Sequence, residues 1–165
     1  VYWDFTQRVY REEFDPEYDG ALEAGIPFCL SGTPGCDTDY DYASRPLSVK
    51  AAVAKVSLSG KIKRPMITLH GTLDTLLPIN NDANVYAQLV KDSNRERLHR
   101  YYVIEDGNHI DSFYDALPGE LRPILPCARA GFEVLEGWVE SKQSPPESRV
   151  VPRPVDGDLV NNCSL

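Results

Sequence analysis

Pro65-Met-Ile-Thr-Leu-His-Gly71, running on into Thr72-Leu-Asp74-Thr-Leu-Leu-Pro78, and Tyr101-Tyr-Val-Ile-Glu105, running on into Asp106-Gly-Asn-His109, are the two stretches that decide the fold. Each begins as a short apolar run of buried-strand type and ends in a turn that carries glycine. Between them, Asn81 or Asp82 caps a helix to about Asp92, whose inner face is Val85, Tyr86, Leu89 and Val90. Strand, helix, strand with short links implies a right-handed parallel crossover, so the predicted class is α/β. Open α/β sheets place their sites at the carboxyl ends of the strands. There the chain puts Asp74 after the first strand and His109 after the second. Neighbouring parallel strands lie about 5 Å apart, close enough for the two side chains to meet.

Outward from this centre the pattern is less regular. Tyr2, Phe5, Val9 and Tyr10 predict an amphipathic helix, and Asp15 to Arg45 is irregular, rich in Asp, Gly, Pro and Cys. A short helix is expected over Ser48–Ser57, with Val49, Val53 and Val56 on one stripe. The strongest helical pattern, Gly131, Val134, Leu135, Trp138 and Val139, covers about Ala128 to Ser141. Beyond Lys142, Pro145, Pro146, Pro152 and Pro154 exclude a helix. The expected organisation is a lid-like region over 1–45, a core over 46–142 and a proline-rich extended tail over 143–165. Two strands make a thin sheet, and the pattern reads as the edge of a larger doubly wound domain.

Composition narrows the function. The chain is 42% hydrophobic and 25% charged, which is globular rather than disordered in type. Its 25 acids against 17 bases give a net charge of -8, which argues against a nucleic-acid partner. No apolar run approaches the roughly 20 residues that span a bilayer, so no membrane role is expected. No C-x₂₋₄-C pair exists and no histidine lies near a cysteine, so neither metal nor cofactor is implied. Asp37, Asp39 and Asp41 alternate as in a calcium loop, but Tyr42 and Ser48 stand where Gly and Glu are required, leaving a solvated acidic loop. The four cysteines allow three connectivities; Cys29–Cys36 with Cys127–Cys163 is the plausible one, with free thiols as the alternative. Disulfides, and the formal glycosylation acceptor Asn162-Cys163-Ser164, favour a secreted protein.

An aspartate beside a histidine fixes the imidazole tautomer and leaves Nε2 to take a proton from a nucleophile. Asp74 and His109 are therefore the candidate catalytic residues. Asp106 and Asp111 are weaker partners for His109, because a carboxylate so near in sequence seldom points back at Nδ1. His70 reads as a core or supporting histidine, and His99, in a basic stretch, as solvated.

With these residues in place the chain resembles the C-terminal portion of an α/β-hydrolase, whose chain order is Ser, then Asp or Glu, then His. Gly71-Thr-Leu-Asp74 with Leu77-Pro78 is similar to that fold's acid turn, and Gly107-Asn-His109 to its histidine turn. Within the fold, Leu69-His-Gly-Thr-Leu-Asp74, Arg100-Tyr-Tyr-Val-Ile-Glu105, His109-Ile-Asp111 and Pro145-Pro-Glu-Ser-Arg-Val-Val151 resemble bacterial hydroxybutyrate-oligomer hydrolases, and more loosely tannase and feruloyl-esterase-like proteins. The resemblance implies a carboxylic ester hydrolase. Against tannases, Ile110 follows His109 where those enzymes have cysteine.

One element of the chemistry is missing from the chain. No G-x-S-x-G occurs, and Ser31, Ser57 and Ser59 lack the flanking glycines of a nucleophile elbow. Without a nucleophile and oxyanion donors the pair cannot complete acyl transfer. The expected partners are therefore an ester substrate and the N-terminal half of the hydrolase domain, on an upstream segment or a second chain. Competing readings are a non-catalytic α/β binding module and an inert fragment.

Overall fold

A computed structural model describes residues 2–18 and 40–165. The pair Cys29–Cys36 and the acids Asp37 and Asp39 lie outside the described residues; Asp41 caps a 3₁₀ turn through Ala43 N–H at 3.0 Å. The chain forms two compact units, 1–58 and 59–165. Among the described residues no helix is long and apolar enough to cross a membrane.

The N-terminal unit holds helix α1 (Tyr2–Phe14) and helix α2 (Leu47–Val56). Its polar centre is Asp15, only 1% exposed. Arg45 approaches that carboxylate at 2.6 Å, the Tyr40 hydroxyl donates to it at 2.7 Å, and Glu17 N–H donates at 3.2 Å. The Arg45 guanidinium holds Asp15 below the usual carboxylate range against the opposing pull of burial. Burial, followed by the Asp15 charge, pushes Tyr40 up to about 12. A carboxyl whose folded pKa is depressed stabilises the fold above its unfolded value and loses that contribution as pH falls through the folded one. The thermal midpoint of this unit should therefore fall as pH drops below 3.8. Asp15→Asn should lower the neutral-pH midpoint and flatten that acid limb.

The second unit carries the sheet. Strands β1 (Met66–Gly71), β2 (His99–Ile104) and β3 (Arg149–Val151) run parallel in the order β1-β2-β3. Helix α3 (Ala83–Asp92) links the first two, and helix α4 (Leu125–Glu140) the last two. Met66 pairs with His99 and Gly71 with Ile104, so even-numbered residues of β1 share a face with odd-numbered residues of β2. One face meets α3: Tyr86 Oη donates to Met66 Sδ at 3.8 Å, and Tyr101 Oη to Asn84 Oδ1 at 2.9 Å. The other meets α4: Leu69 packs at Gly131, and the Arg100 guanidinium lies 5.3 Å from the Trp138 ring centre. The core on this face is Tyr102, Ile104, Cys127 and Val151.

Three local expectations change. The sheet has a third strand, in the stretch read as a proline-rich tail; three residues between Pro146 and Pro152 are too few to show a period. Helix α4 begins at Leu125 rather than Ala128, since Pro126 is tolerated in a first helical turn, where its missing N–H is not needed. His99 is 7% exposed rather than solvated. As the first residue of β2 it turns inward, its Nε2 2.9 Å from Thr68 Oγ1 and its ring close to Tyr86 and Tyr101. Burial pushes its pKa down.

Cys127 and Cys163 form a disulfide that fastens the tail to the core-facing side of α4. Closing a loop of 36 residues removes chain entropy from the unfolded state equivalent to about 3–4 kcal/mol. Reduction, or Cys163→Ser, should lower the melting temperature by roughly 10 °C or more, measured by circular dichroism.

Candidate active site

The site lies past the carboxyl ends of β1 and β2, and it exists because two turns touch. A Cβ added to Gly71 would land on the carbonyl carbon and oxygen of Gly107; one added to Gly107 would meet Gly71 Cα at 3.0 Å. The backbones pass at this distance because Gly71 has no Cβ, and a Cβ at Gly107 would be tighter than ordinary packing. Three hydrogen bonds then stitch the turns together. Thr72 N–H donates to Ile104 O at 3.0 Å, Leu73 N–H to Gly107 O at 2.9 Å, and Asp106 N–H to Thr72 Oγ1 at 2.9 Å. Asp106 takes a positive φ of 57°, a left-handed position that Asp tolerates better than most residues.

Asp74 is carried on the first turn and is 8% exposed. Its Oδ1 accepts from Leu76 N–H at 3.0 Å and Leu77 N–H at 2.8 Å. Its Oδ2 lies 2.9 Å from His109 Nδ1. The carboxylate accepts, so Nδ1 carries the proton and a neutral His109 presents Nε2 as the base. The His109 side chain is 38% exposed, against 5% for that of Asp74. No described residue hydrogen-bonds to His109 Nε2. The two candidates therefore meet as an oriented acid–histidine pair, with the acid buried and the base accessible.

The neighbouring acids are engaged elsewhere. Asp111 caps the start of α4, accepting from Ile124 N–H at 2.7 Å and Leu125 N–H at 3.1 Å, and so anchors the histidine turn to that helix. Asp106 sits 3.6 Å from Arg153. His70 is buried beside the pair, with Nε2 2.8 Å from Leu77 O and 3.6 Å from Asp74 Oδ2. Among the described residues no cluster of His, Cys, Asp and Glu suited to a metal ion occurs.

Two supporting residues are not among the candidates read from the sequence. Thr72 bridges the turns as described. Arg122, 2% exposed, donates its backbone N–H to Asp106 O at 2.8 Å and its guanidinium to Val151 O at 3.2 Å and Pro152 O at 3.0 Å. It thus ties the histidine turn to the end of β3, and burial lowers its pKa. The Gly-Thr pair after β1 hints at the Thr72 contact; nothing near Arg122 in the sequence announces its role.

The sequence comparisons indicate a hydrolase family. A family model described as 3HB-oligomer hydrolase matches residues 23–158, most of the chain. The chain belongs to the 3HB-oligomer hydrolase family. It is similar to a D-(-)-3-hydroxybutyrate oligomer hydrolase of Ralstonia nicotianae, 30% identical over 103 residues. That similarity covers 61% of this chain and 14% of the relative, so the chain spans only a small part of that protein's length. No solved structure matches.

The glycine contact yields a direct test. Gly71→Ala should destabilise the protein by about 3 kcal/mol or more, at or above the upper end of overpacking costs because the clash is with backbone, measured by urea unfolding. A Gly119→Ala control, where the added methyl meets open space, should be near neutral.

Proposed function

We propose that this chain is the acid-and-histidine part of a serine-type carboxylic ester hydrolase that cleaves oligomers of a short hydroxyacid. The observation that carries the reading is the 2.9 Å contact between Asp74 Oδ2 and His109 Nδ1, with Oδ1 held by two backbone N–H groups. Membership of a hydrolase family supports it, as does the substrate in the relative's name, an oligomer of D-(-)-3-hydroxybutyrate. The doubly wound α/β-hydrolase sheet implied by the resemblance is part of this proposal. It is supported by the parallel strands and by helices on both faces.

In the complete enzyme the nucleophilic serine and the oxyanion donors come from a segment outside this chain. His109 Nε2 takes the serine proton as the hydroxyl attacks the ester carbonyl. The imidazolium then gives that proton to the leaving alcohol, and His109 activates the water that releases the acyl group. Asp74 keeps the ring in the Nδ1–H tautomer and stabilises the imidazolium. In this cycle serine supplies the nucleophile and His109 the proton transfers, so no step calls on a metal or organic cofactor. We place the enzyme outside the cell, a location with which the Cys127–Cys163 disulfide is compatible.

The test is made on the full-length gene product. A fluorophosphonate should label a serine outside residues 1–165, and the protein should hydrolyse hydroxybutyrate oligomers. Asp74→Asn should lower kcat by about 10⁴-fold and His109→Ala by about 10⁶-fold, with the fold retained. Absence of both label and turnover in the intact product would favour a non-catalytic binding module.

A further inference from the structure

His70 is left over by this mechanism, yet it is placed with unusual constraint. It is the penultimate residue of β1, it faces the α3 side of the sheet, and it is 7% exposed. Its Nε2 lies 2.8 Å from the carbonyl oxygen of Leu77. A carbonyl can only accept, so Nε2 carries the proton and donates it. The same nitrogen sits 3.6 Å from Asp74 Oδ2, beyond a good hydrogen bond. Nε2 is thus the donor to Leu77 and not a second partner for the acid.

Its effect falls on Leu77. The N–H of that residue is held by Asp74 Oδ1 at 2.8 Å, and its carbonyl by His70. Leu77 precedes Pro78, which restricts its backbone to extended conformations. Pro78 O in turn accepts from Asn81 N–H at 2.8 Å and Asp82 N–H at 3.1 Å, opening the run into α3. The acid turn is therefore closed at both ends. Asp74 grips the far end of the turn through Leu76 and Leu77, and His70 fastens that far end back to β1. Remove the second grip, and Asp74 Oδ1 holds a loop end that is free to drift, taking Oδ2 out of line with His109.

We propose that His70 is a positioning residue of the hydrolytic site: its Nε2–H clamps the Leu77 carbonyl and so fixes the direction in which Asp74 presents Oδ2 to His109. This rests on the ester-hydrolase reading above, and the test separates the two. His70→Leu keeps the buried site apolar and removes the donor. His70→Gln keeps an amide N–H near the place of Nε2. Misplacing a catalytic group by a fraction of an ångström to an ångström lowers turnover by up to about 100-fold. In the full-length hydrolase, His70→Leu should lower kcat about 10- to 100-fold with KM within twofold of wild type, and His70→Gln should recover most of it. The rate of fluorophosphonate labelling should follow kcat across the series.

Asp74→Asn is measured beside them. If Asp74→Asn is inactive while folded His70→Leu turns over like wild type, the clamp is refuted and the hydrolase reading stands. If Asp74→Asn itself keeps full activity, the hydrolase reading fails first. If His70→Leu does not fold, His70→Gln decides. Near-wild-type kcat with a retained melting temperature supports the clamp, and a kcat as low as that of Asp74→Asn overturns it.

Discussion

The site depends on a close passage of backbone past backbone. Gly71 abuts Gly107 so tightly that it has no room for a side chain, while Gly107 sits closer than a Cβ ordinarily packs, and the contacts between the two turns follow from that approach. The inter-turn hydrogen bonds form because the chains are near enough. Asp74 and His109, each carried on one of the two turns, are then delivered to 2.9 Å without a long, flexible connection. Catalytic groups gain most from rigid short turns, because geometry set during folding is not reorganised during the reaction.

Burial divides the labour between the two side chains. Asp74 is a charged group taken almost wholly out of water, which is tolerable only when hydrogen-bond donors replace its hydration. Leu76, Leu77 and His109 provide those donors. The same arrangement exposes more than a third of the His109 side chain, as the proposed proton transfers require. Around this pair the structure repeats one device, a polar side chain that fastens a turn to a neighbouring element. Asp111 fastens the histidine turn to α4, Arg122 fastens it to β3, and His70 fastens the acid turn to β1. The disulfide holds the tail against the α4 side of the same sheet.

Much of this was legible from residues alone, and the reason is local. Strands β1 and β2 are short apolar runs closed by glycine, and Asp74 and His109 sit within a few residues of their ends, so the parallel crossover brings them together with little freedom. The Cys127–Cys163 pairing was one of few choices. The features that escaped are those without a local pattern. Strand β3 is three residues between prolines, held by pairing with Tyr102, Val103 and Ile104 rather than by its own period. His99 stands in a basic stretch, and only the register with Met66 reveals that it turns inward. Arg122 acts through partners about thirty residues away, beyond the reach of any sequence window.

The central claim is that His109 is held by Asp74 in a single tautomer before any substrate arrives. Nitrogen-15 NMR of the histidine imidazoles in labelled protein reads this directly. Neutral His109 should carry its proton on Nδ1, and Asp74→Asn should abolish the preference. A His109 ring that carries its proton on Nε2, unchanged by Asp74→Asn, would contradict it.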